Sequence, residues 1–309
     1  MQIDQTYIDA FEKSLNPVKP ETSRLPFKIL GYGEISSIFT MEKYPGIVFK
    51  RLPFFPGMQS AVSYRDQCFA YTTHLKNAGL NLPEEDGFIT HSPGRPHVLY
   101  LAQGLFNADT FCHQLIHTLD PDQITQMIDT VLDAVNKVRL YNEKFMPKLQ
   151  IAVDAQLSNW TWTVENNTRK LYLIDTSTPF YRIKGKEQLD VTLLIKSMPF
   201  VIRMLIHLIN LEDVVARYYD YRTVFLDIIG NLIKEQAPDL IDPFIQIANQ
   251  KIADDFNLAP ISRQEVMAYY QKDKMIWMAF STLRRIDRFV TATLLKKRYE
   301  FLLPGTIKR

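Results

Sequence analysis

The sequence has few cysteines, a small net charge and no long hydrophobic run, and each of these features excludes a class of protein. Its 309 residues include only two cysteines, Cys68 and Cys112, too few for a disulfide scaffold. A formal net charge of +2 argues against a dedicated nucleic-acid-binding protein, which would be strongly basic. No apolar run approaches the ~20 residues that a membrane helix needs, and no signal peptide is visible. We therefore expect a cytoplasmic globular protein with no transmembrane segment.

The composition that remains is ordinary, and the chain is long enough for one large domain or two lobes. Hydrophobic residues make up 46% of it and charged residues 23%, as in typical soluble domains. Near its start, Ile8, Phe11 and Leu15 stand at helical spacing and predict a short amphipathic helix over residues 4–15.

A pair of glycines, Gly31 and Gly33, separates two strand-like segments between residues 27 and 39. A third strand is predicted at residues 46–52, with Lys50 inside it. Glycine lets the backbone approach a phosphate closely, and a lysine on the adjacent strand can reach the same phosphates. A glycine pair alone also fits a plain tight turn, so the phosphate interpretation depends on Lys50.

Residues 58–79 predict a helix, and residues 88–91 and 97–101 predict a hairpin after it. Asp66 is the only acidic residue of this helix. Its carboxylate either pairs with Lys50 or is an ordinary solvated side chain. Together these segments predict five strands with one inserted helix.

Three oxygen-bearing side chains stand between residues 151 and 175. Asp154 and Asn159 lie five apart in a predicted loop, and Asp175 ends a predicted strand over residues 171–174. Metal-assisted phosphoryl transfer needs a carboxylate that accepts a proton and oxygen ligands that bind a hard cation, and these three side chains can supply both. Each residue alone also fits a turn or a strand-end cap.

The rest of the chain is predicted to be helical. A long helix is expected from Pro121 to about Tyr141, and four more over residues 189–210, 211–235, 243–256 and 263–298. The last of these and the residues after it are locally basic, through Arg284, Arg285, Arg288, Lys296, Lys297, Arg298, Lys308 and Arg309. This segment either binds an anionic partner, such as a phosphorylated substrate, an acidic membrane or a nucleic acid, or is a solvated helix face.

The order of these features along the chain resembles that of the protein-kinase-like superfamily. The glycine turn comes first, Lys50 follows, and Asp154, Asn159 and Asp175 come last. The helical tail is most similar to that of the aminoglycoside phosphotransferases and choline kinases. The resemblance implies an α+β, two-lobed protein-kinase-like fold. Residues 1–104 would form an N-lobe of antiparallel sheet plus one helix, and residues 105–309 a mostly helical C-lobe.

The resemblance also implies ATP and Mg²⁺ as cofactors. The nucleotide would be bound by residues of the glycine turn, the strand lysine, the helix acid that pairs with it and the hinge between the lobes. These residues are Gly31, Gly33, Ser36, Lys50, Asp66, Leu101 and Gln103. Asn159 and Asp175 would hold Mg²⁺. Asp154 would accept or orient the proton of the acceptor hydroxyl, with Gln156 as a neutral donor beside it.

Several positions depart from the superfamily's pattern. Ser36 replaces the third glycine, Ala152 replaces a histidine before the catalytic aspartate, and Gln156 replaces a lysine or histidine after it. Losing that charge could cost a few kcal/mol of transition-state stabilisation. The sequence therefore predicts an ATP- and Mg²⁺-dependent phosphotransferase acting on a hydroxyl of a small molecule, with protein as the alternative acceptor. The alternatives are a pseudokinase that binds nucleotide or acts as a scaffold, and a member doing other nucleotide chemistry.

Overall fold

The computed structural model describes residues 1–33, 35–197 and 215–303 and shows an α+β protein. Its largest sheet is antiparallel, with strands in the order β1-β2-β3-β5-β4. The strands are β1 (Phe27–Tyr32), β2 (Ser37–Met41), β3 (Ile47–Phe55), β4 (Glu85–Thr90) and β5 (His97–Gly104). The five strands predicted from the sequence are confirmed.

Two helices flank this sheet. Helix α1 (Gln5–Ser14) begins where the Asp4 side chain accepts a hydrogen bond from the Thr6 amide. It buries Ile8 and Phe11 against aromatic side chains of the sheet. Helix α2 (Met58–Asn77) is inserted between β3 and β4 and packs against β5 and β4. Both helices match the predicted ones, and the arrangement is compatible with a kinase-like fold.

Two smaller sheets follow. Strands β7 (Trp160–Glu165) and β8 (Thr168–Leu173) form a hairpin. Its turn consists of Asn166 and Asn167, both with positive φ, which asparagine tolerates better than most residues. Strand β6 (Leu149–Ile151) pairs with β9 (Tyr181–Ile183), which pairs with β10 (Lys186–Glu187). The sequence analysis did not predict this second sheet.

The remaining described elements are helical. They are α3 (Cys112–Leu115), α4 (Pro121–Phe145), α5 (Val191–Ser197), α6 (Tyr221–Lys234), α7 (Ile241–Lys251) and α8 (Arg263–Arg288), the last continued by a wider turn over Phe289–Leu294. The predicted helices 189–210 and 211–235 lie partly in residues 198–214, outside the described part of the chain. No helix among the described residues is long and apolar enough to cross a membrane.

A buried ion cluster ties α1, β3 and the C-terminal segment together. The Arg51 guanidinium of β3 is fully buried and donates to both oxygens of Glu12, at 2.7 and 2.9 Å. It also donates to the carbonyl oxygen of Glu300 at 2.6 Å. Arg95 and the Tyr100 hydroxyl complete the hydrogen bonding of the Glu12 carboxylate. Burial alone would raise the pKa of Glu12, but Arg51 and Arg95 outweigh it and lower that pKa to about 2.

Replacement of Glu12 by glutamine is expected to destabilise the protein by on the order of 3 kcal/mol at neutral pH, because Arg51 and Arg95 lose the charge of Glu12 and keep only that of Glu300. Since the folded pKa of Glu12 lies below its ordinary value of 4.5, the stabilisation is present above pH 4.5. It is lost as the pH falls toward 2. Denaturant unfolding at several pH values would measure this.

The matched control is Glu143→Gln, which removes an exposed i,i+4 ion pair with Arg139 on α4. It should change the free energy of unfolding by less than about 1 kcal/mol. Equal effects of the two substitutions, or a Glu12→Gln effect that does not shrink in acid, would contradict the role of the cluster.

Candidate active site

The β7–β8 hairpin brings Asn159 and Asp175 to the same end of two paired strands. Trp160 pairs with Leu173, so the residues just outside this pair are neighbours. The backbone N–H of Ile174 donates to the carbonyl oxygen of Asn159 at 2.9 Å. The two predicted metal ligands, sixteen positions apart in the sequence, are therefore adjacent in space.

Lys50 of β3 reaches this end of the hairpin. Its Nζ donates to Oδ1 of Asp175 at 3.0 Å and to the carbonyl oxygen of Ile174 at 2.7 Å. The Lys50 side chain is only 5% exposed, so its ammonium has exchanged most of its water for these two acceptors. This contact joins the five-stranded sheet to the predicted metal-binding segment.

Asp175 remains a carboxylate in this environment. Burial by itself would raise its pKa, but the Lys50 ammonium and the hydroxyl of Ser177 outweigh burial and lower that pKa. Ser177 donates from Oγ at 2.7 Å and from its backbone nitrogen at 3.2 Å, both to Oδ1. Within Asp175-Thr176-Ser177, the serine therefore stabilises the negative charge of the aspartate two residues before it.

A second acid interacts with Lys50, and the sequence analysis missed it. Glu85, at the start of β4, accepts hydrogen bonds from the hydroxyls of Thr72 on α2 and Thr176, at 3.2 and 3.1 Å. Burial raises the pKa of Glu85, and the charge of Lys50 partly offsets this. Neither Glu85 nor its spacing carried a sequence signal for this position.

The proposed pairing of Lys50 with Asp66 was wrong. Asp66 is exposed, and its carboxylate accepts hydrogen bonds from the neighbouring Arg65 at 2.8 and 3.0 Å. The α2 residues that approach the site are instead Thr72 and two buried tyrosines. The physical reason is helix phase, because Asp66 lies on the solvent face of α2 while Tyr64 and Tyr71 lie on its inner face.

Leu101 and Gln103 do not occupy the hinge position expected for them. Both lie in β5, which has β3 on one side and β4 on the other, so their backbone groups face paired strands rather than a cavity. The Gln103 side chain donates to the carbonyl oxygen of Ile174 at 3.1 Å. Gln103 therefore holds the same backbone segment as Lys50.

The Asp154 loop is positioned by side chains from two helices. The Tyr71 hydroxyl of α2 donates to the carbonyl oxygen of Ala152 at 2.6 Å. Asn142 of α4 bonds both backbone groups of Ile151, at 2.7 and 2.8 Å. Asn159 donates from Nδ2 to the carbonyl oxygen of Asp154 at 3.1 Å. These bonds fix the loop relative to the predicted metal ligands.

Asp154 has an unusual acidity. Burial, followed by the nearby carboxylates of Asp227 and Asp175, raises its pKa to about 7. Asp227 lies on α6, where burial also raises its pKa, and it accepts a hydrogen bond from the Tyr269 hydroxyl at 3.0 Å. The nearby side chain of Gln156 partly offsets the rise in the pKa of Asp227. A group with this pKa can accept and release a proton near neutral pH.

Arg217 is the cation beside these acids. Its charge opposes the rise in the pKa of Asp154 and interacts with Asp227, and its guanidinium lies 4.0 Å from Asp273 of α8. Its Nε is buried and has no hydrogen-bond partner among the residues that the structure describes. The sequence analysis missed both Arg217 and Asp227. Only Asp227 carried a signal, a carboxylate within the apolar run of residues 224–232.

A cavity of about 380 Å³ lies beside these groups. It is lined by Gly33 and Ser36 of the glycine turn and by Asp154, Gln156, Asp175 and Arg217, whereas Lys50, Asn159 and Asp227 do not line it. The turn is tight, since the Gly33 nitrogen donates to the Ser36 carbonyl oxygen at 2.9 Å and a Cβ on Gly33 would lie 2.7 Å from the Ser36 hydroxyl. Gly31 does not line the cavity; it lies in β1 at a register shift opposite Ile38.

The described side-chain hydrogen bonds of the two predicted metal ligands use only Nδ2 of Asn159 and Oδ1 of Asp175. Within the described part of the chain, Oδ1 of Asn159 and Oδ2 of Asp175 are thus available to a cation. No cluster of three or more histidine, cysteine or acidic side chains suited to a metal occurs there. This donor set fits Mg²⁺, which takes few protein ligands and completes its shell with water and phosphate oxygens.

Fold and site together define an α+β protein whose antiparallel sheet contributes a lysine to a partly buried cluster of acids beside a cavity. The chain belongs to the family of unknown function DUF6206, whose family model matches residues 26–288. No curated protein matches its sequence. Among solved structures it is similar to one titled "WaaP in complex with acyl carrier protein", with 11% sequence identity and a TM-score of 0.37. That match covers 81% of this chain and 88% of the other.

Proposed function

We propose that the protein is an ATP- and Mg²⁺-dependent phosphotransferase that acts on a hydroxyl group of a small molecule. The observation that carries this proposal is the contact of Lys50 with Asp175 and the Ile174 carbonyl, beneath the glycine turn. A kinase-like fold requires this lysine and this aspartate to meet, although they are 125 residues apart. Under the proposal, residues 1–104 and 105–309 are the two lobes.

Nucleotide binding would use the glycine turn and Lys50. Backbone groups of Gly33 and the Ser36 hydroxyl would cover the phosphates, and Lys50 would keep one N–H for a phosphate oxygen while it holds Asp175. Asn159 and Asp175 would hold Mg²⁺, which supplies charge neutralisation to the transferring phosphoryl group. Glu85 would keep Lys50 oriented, the role that Asp66 does not fulfil.

Asp154 would act as the general base. The acceptor oxygen forms a bond to the γ-phosphorus, the bond between this phosphorus and the β–γ bridging oxygen breaks, and the hydroxyl proton passes to Asp154. A pKa of about 7 suits this task, because a useful fraction of the group is ionised at neutral pH while it still binds a proton well. The negative charges of Asp227 and Asp175 drive the proton uptake.

Arg217 would supply the positive charge that Gln156 lacks. Gln156 is neutral, so it cannot provide the charge that a lysine or histidine provides at this position. Arg217 lines the same cavity as Asp154. Its buried Nε–H has no hydrogen-bond partner among the described residues and can donate to an anionic acceptor. A transferring phosphoryl group beside Asp154 has the matching charge.

A second candidate is a nucleotide-binding protein that does not transfer phosphate. Two sequence features favour it: Gln156 is neutral, and Ala152 stands where the superfamily's pattern has a histidine. Such a protein would bind MgATP through Lys50 and Asp175 and release it unchanged. Turnover separates the two candidates.

Asp154→Asn is expected to abolish product formation from MgATP while leaving nucleotide binding intact, because the asparagine cannot accept the acceptor proton. The measurement is ADP release with a panel of small hydroxyl compounds, together with binding by calorimetry. Asp122→Asn, an exposed aspartate at the start of α4, is the matched control and should keep wild-type turnover. Binding without any turnover in the wild type would support the second candidate instead.

Arg217→Gln is expected to lower kcat by about a hundredfold or more with a smaller change in KM for ATP, because a charge that faces the transition state is lost. Arg217→Lys should recover part of this loss. The control is Arg222→Gln, which removes an ion pair between α6 and Glu265 of α8. A change confined to KM, or an equal effect of the Arg222 substitution, would show that Arg217 does not act on the transferring group.

A further inference from the structure

Helix α8 has two faces of different character. Its inner face carries Asp273, Trp277, Phe280 and Arg284, all of which line the cavity. Its outer face points away from the protein and is apolar. The residues of the outer face, at helical spacing, include Met275, Met278, Ile286, Phe289, Val290 and Leu294.

The most exposed large hydrophobic side chains among the described residues lie on this segment. Met275 is 66% exposed, Phe289 56% and Leu294 62%. Because they share one side of a single continuous helical segment, they form a contiguous apolar stripe rather than scattered positions. Something other than water is expected to cover such a stripe.

The charges on the same segment indicate what covers it. Between residues 272 and 297 the chain has seven basic residues and two acidic ones. The exposed charged residues of this segment are all basic: Lys272 and Arg285 lie on the helix, and Lys296 and Lys297 follow its C-terminal end. A second copy of this chain would bring these like charges together, which is unfavourable, whereas an anionic lipid surface would neutralise them. An amphipathic helix of this composition lies in the plane of a membrane interface.

We propose that the outer face of α8 binds the surface of an anionic lipid bilayer. The apolar stripe enters the boundary of headgroups and acyl chains, and the flanking lysines and arginines contact lipid phosphates. The inner face of the same helix lines the cavity, so bilayer contact places that cavity next to the lipid surface. The proposal stands on the outer face alone and does not require phosphotransfer.

The test is co-sedimentation of the full chain with vesicles, without nucleotide. We expect binding to vesicles of phosphatidylcholine mixed with phosphatidylglycerol, weakening with added salt, and little binding to phosphatidylcholine alone. Ile286→Ser combined with Phe289→Ser should weaken binding at least tenfold. Lys296→Glu combined with Lys297→Glu should weaken it by roughly twenty-fivefold, at about fivefold for each lost cation.

Two controls match these variants. Leu140→Ser changes an exposed leucine on α4, and Lys184→Glu with Lys186→Glu reverses two exposed lysines at the β9–β10 turn; both should bind as the wild type does. Circular dichroism would verify folding of every variant. The proposal is overturned by an absence of binding, by equal loss in the controls, or by loss with the lysine variant only. It is also overturned by a dimer in sedimentation velocity that Ile286→Ser with Phe289→Ser dissociates.

Discussion

The contact of Lys50 with Asp175 and the Ile174 carbonyl is the interaction on which the rest of the site depends. It joins the central region of the five-stranded sheet to the end of the β7–β8 hairpin, and Gln103 holds the same carbonyl from β5. A buried ammonium is unfavourable without acceptors, so this arrangement requires both the carboxylate and the carbonyl. The hairpin register and the bond from Tyr64 of α2 to the Ser177 carbonyl position the segment that carries those two oxygens, whereas Tyr71 and Asn142 hold the Asp154 loop.

The acids around Asp154 differ from Asp175 in that nearby charges favour protonation of Asp154 rather than its ionisation. Asp154, Asp227 and Asp175 lie close enough to raise one another's cost of ionisation, and Arg217 offsets only part of this. Such clustering is destabilising for the fold, and proteins retain it where a group must exchange a proton near neutral pH. The site therefore separates two tasks: Lys50 keeps Asp175 charged, whereas burial and like charges keep Asp154 basic.

Local patterns predicted the elements well. The order of residues in the chain also selected Lys50, Asp154, Asn159 and Asp175, and the structure joins Lys50 to Asp175 and Asn159 to the backbone of Asp154. Gly31, Leu101 and Gln103 were assigned to the nucleotide from their order in the chain, but pairing within the sheet removes them from the cavity. Glu85, Arg217 and Asp227 reach the site only through tertiary packing, which no local spacing encodes. The role assigned to Asp66 was wrong because the buried tyrosines of α2 set the orientation of the helix, and in that orientation Asp66 faces solvent.

The most direct test of this account is the thermal unfolding of three proteins, the wild type, Asp175→Ala and the exposed control Asp122→Ala, with ATP and Mg²⁺ added separately and together. Ligands that bind only the folded state raise Tm. The account predicts that ATP with Mg²⁺ raises the Tm of the wild type and of Asp122→Ala, and that Asp175→Ala loses this increase. No increase in the wild type, or the same increase in all three proteins, would contradict it.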